Sequence, residues 1–184
     1  MTSVPDLPVP YLLLLALVAL ERLAELAVAR RHAAWSLARG AVEYGRGHYP
    51  AMVALHTALL AGCALEAPYR PFVPVLGWTA LALAVAAQGL RWWCVATLGP
   101  RWNTRVLVVP GLALVAGGPY RRLRHPNYVA VVLEGLALPL VHSAWLTATV
   151  FTVLNALLLR VRIACEDRAL GTAAGAGRLA GAAP

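Results

Sequence analysis

The apolar positions of the chain fall in long runs, and short arginine-rich segments part them. A helix needs about 20 mostly apolar residues to cross a bilayer. The first such run extends from about Val9 to Ala29, a shorter second from about Pro50 to Leu65, and a third from about Phe72 to Leu98. Two more, Tyr128 to Val141 and Ala144 to Leu159, have Pro139, His142 and Ser143 between them and predict a tight helical hairpin whose first arm is short. The pattern therefore predicts an all-α integral membrane fold of about five transmembrane helices.

Composition supports the bilayer as solvent. Of 184 residues, 60% are hydrophobic and 13% charged, about half the charged share of a soluble domain. One core could not hide that much apolar surface in water. A single membrane domain is expected over residues 1–170. The stretch 171–184, almost all Gly and Ala, reads as a flexible tail. The start, MTSVPDLPVP, lacks a basic region, and Glu21, Arg22 and Glu25 interrupt the apolar run that follows, so this run reads as a first membrane helix rather than a cleaved signal. Glu21 and Glu25 share a helical face, which should look into the bundle or up to the interface.

All sixteen basic residues are arginine, and the net charge is +8. A basic soluble protein of this kind would suggest nucleic acid, but here the arginines lie between apolar runs and act as topology signals. Arg30, Arg31, Arg39 and Arg46, then Arg101, Arg105, Arg121, Arg122 and Arg124, then Arg160, Arg162, Arg168 and Arg178 fall on one side, and Arg70 alone on the other. The arginine-rich side is expected to be cytoplasmic, with the N-terminus outside and, after an odd number of crossings, the C-terminus inside. Cys63, Cys94 and Cys165 are far apart and form no zinc spacing, which disfavours metal catalysis.

Three features carry candidate chemistry. The segment after the third run, GPRWNTRVLVVPGLALVAGGPYRRLRHPNYVAVVLEG, is dense in Gly, Pro, Arg, Asn and Tyr. Gly117, Gly118 and Pro119 must turn sharply there, and His125-Pro126 opens the fourth helix with Asn127 and Tyr128 in its first turn. The sequence leaves two accounts open: a polar-ligand site, or a surface loop that only sets topology. The second feature is RVRIACEDRAL, residues 160–170, where Arg162 and Glu166 share one helix face. It is either half of a ligand site or an exposed ion pair. The third is Glu134, an acid inside an apolar helix, either functional or the buried partner of Arg91.

GPYRRLRHPNY followed by an apolar run and then RVRIACEDRAL resembles the isoprenylcysteine carboxyl methyltransferase family of membrane methyltransferases. Phospholipid methyltransferases share the RHPxY and paired-acid pattern. WNTRVLVVPG and GAVEYGRGHYPAMVALH look like a bacterial branch, some members of which methylate alkylpyrones or alkylresorcinols made by type III polyketide synthases. The resemblance covers roughly residues 20–170. It implies S-adenosylmethionine as cofactor, held by Leu112, Ala113, Leu114 and Val115, by Tyr120, by His125, Pro126, Asn127 and Tyr128, and by Glu166. It implies that Arg162 contacts the substrate, so Arg162 and Glu166 are the candidate catalytic pair. Two departures stand out: the usual Glu-Glu pair is Glu166-Asp167, and the Gly/Ala tail replaces an aromatic C-terminal stretch.

A methyltransferase of this kind would take a polar cofactor from the arginine-rich face and a lipophilic small molecule sideways from the bilayer, transferring the methyl group most naturally to oxygen. The alternatives are true carboxyl methylation of prenylated cysteine and, in another class, a non-catalytic transporter subunit or assembly factor.

Overall fold

The computed structural model describes residues 8–180, with side chains through residue 172. Its elements are α1 (Val9–Leu37), β1 (Val42–Tyr44), α2 (Tyr49–Glu66), α3 (Pro74–Leu98), β2 (Val106–Val108), α4 (Pro126–Leu140) and α5 (Trp145–Ala180), with short 3-10 turns between them. Among the described residues the regular structure is helical apart from a ribbon in which β1 pairs antiparallel with β2, Val42 opposite Val108 and Tyr44 opposite Val106.

Helices α2, α3 and α4 each carry proline in the first turn, where a missing N–H costs nothing and the fixed φ suits a helix. The C-terminus of α2 and the start of α5 are joined chemically. Glu66 accepts the backbone N–H groups of Leu146 and Thr147 at 3.1 and 2.8 Å and the Thr147 hydroxyl at 2.8 Å. An acidic side chain there satisfies orphan donors and meets the positive end of the helix dipole.

Among the described residues three helical stretches are long and apolar enough to cross a membrane: Arg46–Tyr69, Pro74–Arg101 and Trp145–Thr172. Large apolar side chains on the outer surfaces of α1, α3 and α5 point away from the protein. Leu13, Leu17, Leu20 and Leu23 of α1, Val75 and Trp78 of α3 and Leu146 of α5 are all more than 60% exposed. Such a continuous apolar exterior suits hydrocarbon and not water. The protein is an integral membrane protein.

The hairpin forms, with α4 of 15 residues spanning about 22 Å, short of the ~30 Å hydrocarbon core. Gly135 lets the two arms approach, since a Cβ there would lie 2.0 Å from the Phe151 ring. Two boundaries differ from the sequence expectation. Helix α1 runs on to Leu37, past Ala29, through an Ala- and Arg-rich stretch that forms helix readily. Helix α5 continues beyond Leu170 to Ala180, where a tail was expected to begin. Alanine, the best helix former, outweighs the scattered glycines there. Residues 181–184 of that expected tail, and 1–7 of the expected domain, lie outside the described residues.

Candidate functional site

The two charged clusters that the sequence placed on separate elements meet where α4 starts and α5 leaves the bundle. Counting 1.5 Å per residue from Trp145, Arg162 lies about 26 Å and Glu166 about 32 Å along α5, close to one hydrocarbon thickness from its start. Arg162 is 5% exposed. Its Nε–H donates to the Tyr128 hydroxyl at 2.9 Å, one terminal nitrogen donates to the Thr104 carbonyl at 2.7 Å, and the other approaches the Met52 sulfur at 3.4 Å. The Tyr128 hydroxyl in turn donates to the Glu166 carboxylate. Arg162 and Glu166 share a helix face yet do not pair directly, because the phenol stands between them.

His125 stacks on Tyr128, ring centroids 5.4 Å apart, and its Nε2 lies 3.0 Å from Asp167, which Arg124 also pairs at 3.0 Å. The second acid of the pair thus braces the start of α4 while the first faces Tyr128. Tyr120 reaches in from the 3-10 turn Gly118–Arg121. Burial, with the neighbouring Cys94 thiol, pushes its phenol well above the ordinary tyrosine range, so it stays protonated. The predicted glycine turn is real. Gly118 has φ +52°, and a Cβ there would lie 2.4 Å from the Thr97 hydroxyl oxygen.

These residues border two adjoining chambers. The first, about 100 Å³, is the more polar of the two and is lined by Tyr120, His125, Asn127, Tyr128, Arg162 and Glu166 together with Leu98, Arg101 to Asn103, Arg105 to Val108 and Leu170. The second, about 500 Å³, is mainly apolar and runs between α1, α2, α4 and α5. Trp102, Asn103, Asn127, Tyr128 and Arg162 line both, so they form the wall between the two.

Of the sequence-predicted residues, Tyr120, His125, Asn127, Tyr128, Arg162 and Glu166 share the polar chamber. Pro126 is fully buried beneath the start of α4 and does not line it. Leu112, Ala113, Leu114 and Val115 are not brought in. Leu112 and Leu114 are exposed, and the Ala113 carbonyl accepts from Arg101 at 2.6 Å. Val106, Leu107 and Val108 of β2, paired with β1, line the chamber instead, with Arg105 just before them. Sequence reasoning also passed over Trp102, Asn103 and Thr104. Their signal lay in WNTRVLVV, a stretch singled out but given no role.

Several of these groups are available to a polar ligand. Glu166 offers a carboxylate, Tyr120 and His125 offer hydroxyl and imidazole groups, and the Asn127 side-chain oxygen is buried without a hydrogen-bond partner, a group that a native interior seldom leaves unmade.

A more polar and an apolar chamber thus share one wall of side chains. Comparison with known proteins gives the family. The sequence model of the isoprenylcysteine carboxyl methyltransferase family matches residues 80–172, and the chain belongs to that family and is a membrane methyltransferase. Over 159 residues it is 40% identical to the uncharacterized protein YpbQ of Bacillus subtilis (strain 168), covering 86% of this chain and 95% of that one. Over 151 residues it is 25% identical to an uncharacterized protein of Haemophilus influenzae, covering 81% and 88%. The matched segment contains α4, α5 as far as residue 172, and the polar chamber's charged residues.

Proposed function

We propose that the protein transfers a methyl group from S-adenosylmethionine to an oxygen of a lipophilic acceptor, with Arg162 orienting that oxygen as an anion. The observation that carries this reading is the state of Arg162. It is buried, and its guanidinium spends three of its five N–H donors on neutral partners. Among the described residues no carboxylate forms an ion pair with it. A buried cation without a counter-charge is costly, and an oxyanion taking the two spare N–H groups in a fork would relieve the cost.

When bound, the cofactor supplies an electrophilic methyl carbon on a sulfonium, displaced in line by the acceptor oxygen. The chain supplies position, which is the larger part of catalysis for such a transfer. Glu166, Tyr120, His125 and Asn127 hold the cofactor on the polar side. Tyr128 keeps Arg162 and Glu166 in register across the shared wall. The apolar chamber admits the acceptor from the lipid and keeps water from the reacting oxygen. Acceptor and cofactor meet on the arginine-rich side, which the positive-inside rule assigns to the cytoplasm, with the N-terminus outside and five crossings, the short α4 being the fourth.

The acceptor class we favour is an alkylpyrone or alkylresorcinol, whose acidic hydroxyl becomes the anion that Arg162 needs. A prenylcysteine carboxylate meets the same requirement. Detergent-purified protein, given labelled cofactor with an alkylresorcinol and separately with a prenylcysteine analogue, distinguishes the two. Arg162→Ala and Glu166→Ala should abolish transfer while the variants remain folded in membranes, and calorimetry should register S-adenosylhomocysteine binding to the parent protein. Full turnover by both variants would reject this site. No binding of S-adenosylhomocysteine would favour a non-catalytic role such as transporter subunit or assembly factor.

A further inference from the structure

The apolar chamber is not apolar throughout. Deep within it, away from Arg162, lie Arg22 and Glu25 of α1, His56 of α2, Arg91 of α3 and Asn155 of α5. Asn155 precedes Arg162 by seven residues on α5, a rise of about 10 Å. Glu25, Arg91 and Asn155 are 4%, 6% and 2% exposed. In hydrocarbon such groups are expensive, and where they line a cavity they mark a ligand path.

Their hydrogen-bonding capacity is not used up. Glu25 pairs with Arg22 at 2.7 Å through one oxygen, while the other is buried without a hydrogen bond, only 3.6 Å from the equally unpartnered Nε of Arg91. The side-chain oxygen of Asn155 also lacks a partner. His56 Nδ1 lies 2.8 Å from the Met52 carbonyl. A carbonyl only accepts, so Nδ1 carries the hydrogen and Nε2 is left as an acceptor on a cavity-lining ring. Arg22 and Arg91 are already met by Glu21, Glu25 and Glu134, so neither guanidinium is left for an anionic ligand group. An anion would have no counterpart here. An uncharged group that both donates and accepts would.

Building on the reading of the chamber as the acceptor site, we propose that His56, Asn155 and the Glu25–Arg91 pair form a second recognition point. It takes an uncharged hydroxyl that the acceptor bears about 10 Å from its methylated oxygen. The acceptor is then a lipid-like molecule with a functionalised tail and not a plain hydrocarbon chain. A purely structural staple between α1, α3 and α4 would account for the ion pairs, but not for Asn155 and His56, which stand outside them and face the cavity.

The test uses a long-chain alkylphenol and the same molecule with one tail hydroxyl about 10 Å from the phenolic oxygen. Calorimetry on detergent-purified full-length protein with S-adenosylhomocysteine present should give the hydroxylated compound about tenfold tighter binding. Asn155→Leu, close in volume and free of a polar burden, should erase that preference, and His56→Phe should reduce it. Equal affinities in the parent protein, or a preference that survives Asn155→Leu, overturns the proposal. Methyl transfer is read in parallel. A hydroxyl preference in binding without transfer to either compound supports the recognition point and counts against phenolic acceptors, whereas transfer with no preference does the reverse.

Discussion

Arg162 and Glu166 lie one turn apart on α5 but communicate through Tyr128, whose hydroxyl accepts from the arginine at 2.9 Å and donates to the glutamate. The phenol links the two chambers. It also prevents an ion pair that would have neutralised both charges and left neither free for a ligand.

Tyr128→Phe removes that link and little volume. Hydrogen bonds to charged groups contribute about 1.5–3 kcal/mol, so kcat/KM should fall roughly 10- to 100-fold with expression and thermal unfolding little altered. Labelled-methyl transfer by purified protein measures it. A change within about twofold would remove Tyr128 from the mechanism.

The pair Arg91–Glu134, at 2.5 Å and buried, answers the question the sequence left open about Glu134. Breaking such a pair from one side costs about 3–5 kcal/mol, whereas replacing both partners with apolar groups can be neutral. Arg91→Met and Glu134→Leu should each lower the unfolding temperature in detergent sharply, and the double variant should recover much of the loss. Additive losses would contradict a paired role.

Glu66 closes the far end of the bundle by capping α5. Glu66→Ala should cost about 0.5–2 kcal/mol of stability, the usual range for a lost cap, seen as a lower melting temperature. S-adenosylhomocysteine affinity should hold steady, since the cap is a membrane thickness away from the polar chamber. A selective loss of affinity would argue against that separation.

Gly118→Ala combines a positive φ with a clash against Thr97, and should weaken S-adenosylhomocysteine binding measured by calorimetry. Gly111 also has positive φ, but a Cβ there meets nothing within 4 Å. Gly111→Ala should therefore disturb binding far less. Equal effects would show that backbone strain, and not the fit of the turn against α3, governs the site.

Much of the architecture was legible in the chain because the bilayer imposes simple rules. Apolar runs of sufficient length, proline at helix starts and arginine between runs are local properties. The short α4 showed itself through Pro139, His142 and Ser143. The motifs around His125 and Glu166 stood out against alanine and leucine, but their residue types left a surface loop and an exposed ion pair open, and only the family resemblance gave them roles.

Other features depended on partners far away in the chain. The chamber wall owes Val106–Val108 to pairing with Val42–Tyr44 and Trp102 and Asn103 to hydrogen bonds with α1, and nothing local to Leu112–Val115 says that it stays out of the lining. Likewise the sequence offered Arg91 as the partner of Glu134 only as one of two accounts, and helix packing decides it and joins that pair to Arg22 and Glu25 of α1. Hydropathy, turns and charge asymmetry act over a few residues and are written into the sequence directly. Which polar groups meet, and which are left unpaired beside a cavity, depends on how helices rotate and cross, and only the tertiary structure decides that.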